Sequence, residues 1–419
     1  MQRLLNSMRK ALVSPERNTR SAVVLGRLLG IAFVVCFGTG VYSHFLQEPL
    51  SWMRFPTFPS QLYQFTQGLH ITAGIACFPL ILGKLYTVYP QLFQTPPIRG
   101  FGHMLARASI ALFVGSSLVQ LAIGLLNTYQ WYPFPFNFKQ VHYALAFVII
   151  GSLAIHIGVK LPLIQRYWRR NSEATVELLG RDSNDLLDPV PESGSSPAPE
   201  VVGGFTGRLF RWIDGTPQAE RGVSRRGFFA AIGVSTVAVV TFTAGQSFAV
   251  FKPFNLFAPR AKDIGPQGLP INRTAEAAQV TETAVSADWV LSVIAGGATT
   301  TFTRAELLRL PQTAVSLPIA CVEGWSQLAD WKGVRMRDLL AAAGAPSDQR
   351  LMVQSLEKEG GYRTTEMGAE YVGDDLTLVA LELNGSTLDI QHGYPARIIA
   401  PGRPGVLQTK WLSSLEVSA

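Results

Sequence analysis

The sequence has 419 residues, room for two or three domains, with 47% hydrophobic and only 16% charged residues, a balance that favours a membrane protein over a soluble enzyme. Its net charge is +7, but Lys and Arg cluster beside apolar runs and form no stripe or arm, which argues for membrane orientation and against nucleic-acid binding. Cys36 and Cys77 lie inside apolar runs, so Cys321, alone in the C-terminal part, is either inert and buried or chemically used.

Five segments are long and apolar enough to cross a bilayer, which takes about 20 residues. They are Leu28–Leu46, Leu69–Tyr89, Ala108–Asn127, Val141–Ile164 and Gly227–Phe251. Basic residues are retained on the cytoplasmic side. Arg3, Arg9, Lys10, Arg17 and Arg20 precede the first span, and Lys84, Arg99 and Arg107 surround the turn between the second and third. Arg166, Arg169 and Arg170 follow the fourth, and Arg221, Arg225 and Arg226 precede the fifth. The remaining connections hold chiefly Arg54 and Lys139. The expectation is a cytoplasmic N-terminus over 1–20, a four-helix transmembrane domain over 21–170, and an extracytoplasmic domain over 252–419. Residues 171–223, with Pro-Glu-Ser-Gly-Ser-Ser-Pro-Ala-Pro at 191–199, read as a flexible cytoplasmic linker.

Residues 224–251 open with Ser224-Arg225-Arg226-Gly227-Phe228-Phe229 before a moderately apolar run. This resembles a twin-arginine export signal placed internally. That pathway carries folded proteins, and cofactors inserted in the cytoplasm are the usual reason to need it.

Histidine is costly in hydrocarbon, which makes intramembrane copies functional candidates. His44, His70, His142 and His156 lie in or at the ends of the first, second and fourth spans. His142 and His156, 14 residues apart, return to within about 40° of one helix face, roughly 21 Å apart along the axis. That spacing suits two haems stacked across a membrane. His70 and His142, both near outer helix ends, form a plausible axial pair, and Gly68 and Gly74 would let a flat macrocycle approach. His44 is a further candidate iron ligand, or a contact for a haem propionate or quinol. The four spans resemble the di-haem cytochrome b subunits of bacterial respiratory enzymes, without their histidine near the cytoplasmic end of the first helix. One or two haems b are implied.

From about Pro270 the pattern is strand-rich, with strands expected at Trp289–Ile294, Leu317–Cys321, Leu351–Leu356, Leu376–Leu383, Ala396–Ile399 and Leu415–Val417. Short helices are expected after Thr303 and over Met336–Ala343, the second closed by Gly344. The fold class is therefore an all-α transmembrane four-helix bundle with a fifth membrane helix, followed by an α+β domain.

Five motifs occur in order: Asn272-Arg273-Thr274, Cys321-Val322-Glu323-Gly324-Trp325-Ser326, Trp331-Lys332-Gly333-Val334, His392-Gly393-Tyr394-Pro395-Ala396-Arg397, and Gly405-Val406-Leu407-Gln408-Thr409-Lys410-Trp411-Leu412. Together they make residues 265–419 similar to the molybdopterin-binding domain of the sulfite oxidase family, close to the catalytic subunit of the bacterial periplasmic methionine-sulfoxide reductase. The resemblance implies that Cys321 binds molybdenum as thiolate, a soft ligand, and that Arg397 and Lys410 hold the pterin phosphate. It also implies that Asn272, Arg273, Ser355, His392, Gln408 and Thr409 line the cofactor, although His392 stands where the reductase has an asparagine. The residues after Cys321 are not the arginine-bearing set of sulfite oxidases.

The expected function is a molybdenum oxidoreductase passing electrons from membrane quinol, through b-type haem, to an extracytoplasmic molybdopterin centre that reduces an S- or N-oxide such as methionine sulfoxide. A sulfite-oxidase-like dehydrogenase feeding the quinone pool is the alternative, and a non-catalytic haem-bearing anchor or sensor is a third.

Overall fold

A computed structural model describes residues 19–89, 98, 100–166, 224–257 and 264–418. The expected linker over 171–223 and residues 1–18 of the N-terminal segment lie outside the described residues. Among the described residues five helices are long and apolar enough to cross a membrane: α1 (Thr19–Gln47), α2 (Leu62–Val88), α3 (Phe101–Thr128), α4 (Phe138–Arg166) and α5 (Arg225–Ala244). The chain is a multi-pass membrane protein.

Polar side chains inside these helices bond back to their own backbone. Thr39 Oγ1 donates to Val35 O at 2.6 Å, Ser117 Oγ to Phe113 O at 2.7 Å and Thr243 Oγ1 to Val239 O at 2.6 Å. In hydrocarbon there is no water to take these protons, so internal satisfaction is required. Pro79 and Pro162 lie inside α2 and α4, positions that membrane helices tolerate where the carbonyl left without its N–H finds another partner.

Two helix boundaries differ from the sequence expectation. Helix α2 starts at Leu62, so the polar turn holding Tyr63, Gln64, Thr66 and Gln67 is helical although it lies outside the apolar window. Helix α5 ends at Ala244 instead of reaching Phe251. A Cβ at Gly245 would stand 2.6 Å from Phe251 O, so only glycine permits this close return of the chain. A 3₁₀ turn over Ala249–Phe254 follows, with Pro253 inside it.

The described residues fall into two units. One takes in residues up to Ile31 with Cys77–Ser117 and Val148–Val237, the other Ala32–Ala76, Leu118–Phe147 and Ala238–Ala419. In the first, Lys84 Nζ donates to Ala22 O at 2.5 Å, which lets a cation sit within an apolar helix.

In the second unit, the chain beyond Phe257 is α+β. Strands β1 (Val290–Ala295), β2 (Ala298–Thr303), β5 (Leu351–Ser355), β6 (Thr364–Met367) and β10 (Leu412–Val417) form one sheet in the order β2-β1-β10-β5-β6. The β1–β10 pair is parallel and the others antiparallel. The other sheet has β3 (Gln312–Ala320), β4 (Ser326–Arg335), β7 (Leu378–Leu383) and β8 (Ser386–Thr387) in order, with β9 (Arg397–Ile399) also on β7. The short helix α6 (Arg304–Arg309) starts with a capping box: Thr303 Oγ1 accepts from Glu306 N, and Thr303 N donates to Glu306 Oε2 at 2.8 Å. The expected strands and both short helices, the second being α7 (Met336–Ala342), appear within a few residues of their expected bounds. Strands β2, β4, β6 and β8 were not expected. Leu291, Leu339, Leu340, Leu351, Val353 and Leu415 are fully buried in one core, each adding roughly 1.5–3 kcal/mol.

Candidate active site

Strands β3 and β4 are antiparallel with Ala320 opposite Ser326, so residues 321–325 are the hairpin loop between them. Cys321 opens this loop one residue after the strand ends and is 1% exposed. Two backbone bonds close the loop, Cys321 N to Trp325 O at 2.9 Å and Gly324 N to Cys321 O at 3.0 Å. Gly324 has φ +99°, a conformation that glycine adopts at no steric cost. Tyr63 and Tyr362 lie within electrostatic reach of Cys321. Glu323 is buried and accepts from Trp325 Nε1 at 3.2 Å.

Arg397 begins β9, and residues 408–412 run beside that strand, with Ile398 N donating to Thr409 O at 2.8 Å and Leu412 N to Ala396 O at 3.0 Å. This pairing sets Arg397 and Lys410 side by side. Arg397 is 2% exposed. It donates to His392 O at 3.0 Å and Gln408 O at 3.1 Å, and its guanidinium lies 4.9 Å from the centre of the Trp331 ring. Lys410 Nζ donates to Arg273 O at 2.6 Å and Gln391 O at 3.0 Å, and stands 4.3 Å over Trp411. Burial pushes Arg397 down to about 9. Burial, with Arg397 next, brings Lys410 down to about 7, opposed by Glu357 and Cys321. Carbonyl oxygens and ring faces do not neutralise these two groups and Glu357 offsets Lys410 only in part, and burying charge without compensation is costly. The donor set therefore fits a dianionic group such as a phosphate.

The other expected cofactor residues divide into two groups. Ser355 Oγ donates to Lys410 O at 2.7 Å, and Thr409 Oγ1 lies 3.0 Å from Thr365 Oγ1, so both border Lys410. Arg273 pairs with Glu357 at 3.3 Å and donates to Ala277 O at 2.9 Å, while Asn272 Oδ1 accepts from Arg273 N at 3.0 Å. Burial raises Glu357. Gln408 uses its carboxamide on Ala400 N and O at 2.8 Å each and on Arg403 O at 3.1 Å, which makes it a brace for the 400–408 turn. His392 Nε2 faces Pro266 O at 2.7 Å, and burial followed by Arg397 lowers its pKa to about 4, so the ring stays neutral.

His70 and His142 are brought together, with ring centroids 6.2 Å apart. His70 Nδ1 bonds to Cys36 O at 2.9 Å, and His142 Nδ1 is buried without a hydrogen-bond partner. Gly68 is packed against Phe248 and Ser247, while the close glycines are Gly40 at His70 and Gly124 at His142. His44 stacks on Tyr143 at 3.7 Å and lies 3.6 Å from Glu48. His156, in the other unit, stacks on Phe113 at 6.1 Å. Tyr63, Gln67, Gln130, Ser247 and Glu323 were not singled out as site residues by the sequence reading. The signal for the first four is modest, polar residues where an apolar helix begins or ends, and Glu323 is marked only by its place two residues after Cys321.

Residues 277–419 match the family model of the oxidoreductase molybdopterin binding domain. The C-terminal domain belongs to this family. Asn272 and Arg273 precede the matched stretch. Among curated proteins, the chain is 30% identical over 105 residues to "Sulfite oxidase" of Arabidopsis thaliana, covering 22% of this chain and 27% of that protein. It is 32% identical over 99 residues to "Uncharacterized oxidoreductase YuiH" of Bacillus subtilis, covering 23% and 48%. It is 28% identical over 117 residues to "Putative protein-methionine-sulfoxide reductase subunit YedZ1" of Azospira oryzae, covering 28% and 44%. The chain thus spans less than half the length of each of these relatives.

Proposed function

We propose that the chain is a membrane-bound molybdenum oxidoreductase that passes electrons between quinol, haem b and an extracytoplasmic molybdopterin centre, and removes the oxo group from an S- or N-oxide such as methionine sulfoxide. The observation that carries this reading is the pairing of Cys321, at a tight hairpin within the site, with the buried Arg397–Lys410 cradle. Cys321 would hold the metal as thiolate, and Arg397 and Lys410 the pterin phosphate. Ser355, Thr409, Asn272, Arg273 and His392 would border the cofactor. The molybdenum centre supplies two-electron oxygen-atom chemistry when bound.

His70 and His142 would hold a haem between them: their ring centroids are 6.2 Å apart, and the group would supply one-electron transfer when bound. The His70 Nδ1 bond to Cys36 O fixes the tautomer that leaves Nε2 for the iron. His156 would serve a second haem. His44, stacked on Tyr143 and close to Glu48, suits a quinol or propionate contact better than an iron ligand. Glu323 supports the reductive direction: a carboxyl two residues from Cys321 would, when ionised, disfavour an anionic substrate such as sulfite, whereas a neutral S-oxide is not excluded. The likeness to a methionine-sulfoxide reductase subunit supports the same direction. The positive-inside pattern supports a cytoplasmic N-terminus, a cytoplasmic 171–223 segment and an exported C-terminal domain, with Arg225-Arg226 as the export signal.

Quantification of molybdenum and haem in the purified protein tests the reading. One molybdenum and at least one low-spin bis-histidine haem per chain are expected. Protein that carries haem but no molybdenum would support the anchor or sensor reading.

A further inference from the structure

The loop that carries Cys321 is gripped residue by residue from the outer ends of the apolar helices. Gln67 on α2 donates to Val322 O at 2.9 Å. Gln130, just past α3, donates to the Glu323 carboxylate and to Asn272 O at 3.0 Å. Ser247, after α5, donates to Gly324 O, and Gln246 O accepts from Ser326 N at 2.8 Å. A Cβ on Gly324 would stand 2.7 Å from Ile71 Cγ1. Gln67, Gln246 and Ser247 are all buried. Gln130 takes φ +54°, a conformation disfavoured for a residue with a Cβ that persists where surrounding bonds dictate it.

Hairpin loops are the low-stability parts of a sheet. A metal ligand there needs support, because an error of about 1 Å can cost a hundredfold in rate. Here consecutive loop residues receive that support from three different helix ends. We propose that Gln67, Gln130 and Ser247 are positioning residues for Cys321: the apolar helices complete the molybdenum site, and the C-terminal domain alone does not hold the thiolate in place. The inference rests on Cys321 being the metal ligand.

The test is amide hydrogen exchange of the 321–326 peptide in the full-length protein, prepared with and without the molybdenum cofactor. Gln67→Ala and Gln130→Ala are compared with wild type and with Arg350→Gln, which severs bonds to Ser51 and Glu366 away from the loop. Loss of one hydrogen bond to the loop should speed its exchange about fivefold to tenfold in each Gln variant. Haem absorbance should be retained, and Arg350→Gln should leave the loop unchanged. Wild-type exchange in both Gln variants would overturn the proposal. Because Gln67 lies one turn from His70, Gln130→Ala decides the matter if Gln67→Ala does not fold. If Cys321 does not bind molybdenum, loaded and cofactor-free proteins will exchange alike while the Gln variants still differ from wild type, so the two readings fail separately.

Discussion

Two residues of the proposed site, Lys410 and Cys321, give the sharpest tests. Burial, with the neighbouring Arg397 next, lowers Lys410 to about 7, well below the roughly 10.4 of an exposed lysine. In the cofactor-free protein the unfolded chain therefore binds more protons than the folded one between those values. Stability should then rise as pH rises from about 7 towards 10. Lys410→Met should remove that contribution, so the difference in unfolding temperature between wild type and variant should narrow across this window. A difference independent of pH would mean that Lys410 is already charged and matched in the free protein. A bound phosphate should favour the protonated lysine, and inorganic phosphate added near pH 8 should cause proton uptake that the variant lacks. Cys321 is different in kind. Replacement by serine removes the sulfur that would hold the metal and leaves the Arg397–Lys410 cradle in place, so Cys321→Ser should retain haem and some molybdenum, measured by metal analysis, while losing turnover.

At the scale of elements, the β3–β4 hairpin loop is bonded by residues at the ends of three apolar helices. Gly324→Ala would force a Cβ into the left-handed region and against Ile71, at a cost of about 1–3 kcal/mol. A thermal unfolding scan should show a lower midpoint, with reduced molybdenum content. His70→Ala and His142→Ala should each abolish the absorbance of the outer haem while leaving the molybdenum domain folded; full haem content in both would remove the ligand assignment. The elements legible in the sequence were those whose pattern stands alone: the five apolar runs, the short helix after Thr303, and β1, β3, β5, β7, β9 and β10. Strand β4 was hidden because Trp331, Lys332 and Gly333 read as a motif, and its register is set by β3 and β7 instead of by local alternation. The polar turn at Tyr63–Gln67 was missed because hydropathy windows exclude polar residues that still continue a helix. Cys321, Arg397 and Lys410 were legible because residue type and motif order coincide there. Gln67, Gln130 and Ser247 were not, since what they touch is up to 255 residues away in sequence.

At the scale of the whole molecule, five apolar helices and a molybdopterin-binding domain in one chain would join quinol, haem and metal without a separate membrane subunit. The export pathway gives a direct check on topology. Replacing Arg225 and Arg226 by lysine keeps the positive charge but removes the twin-arginine pair, so the folded C-terminal domain should remain inside, as read by protease protection. Unchanged export would remove that signal from the account. The central claim is that electrons held by the haem leave through the Cys321 site to an oxide substrate. The most direct measurement is the haem absorbance of quinol-reduced protein after anaerobic addition of methionine sulfoxide, in wild type and in Cys321→Ser. The account predicts rapid reoxidation in wild type and none above the buffer rate in the variant. Equal reoxidation in both proteins, or haem reduction by sulfite with no response to any S- or N-oxide, would contradict it.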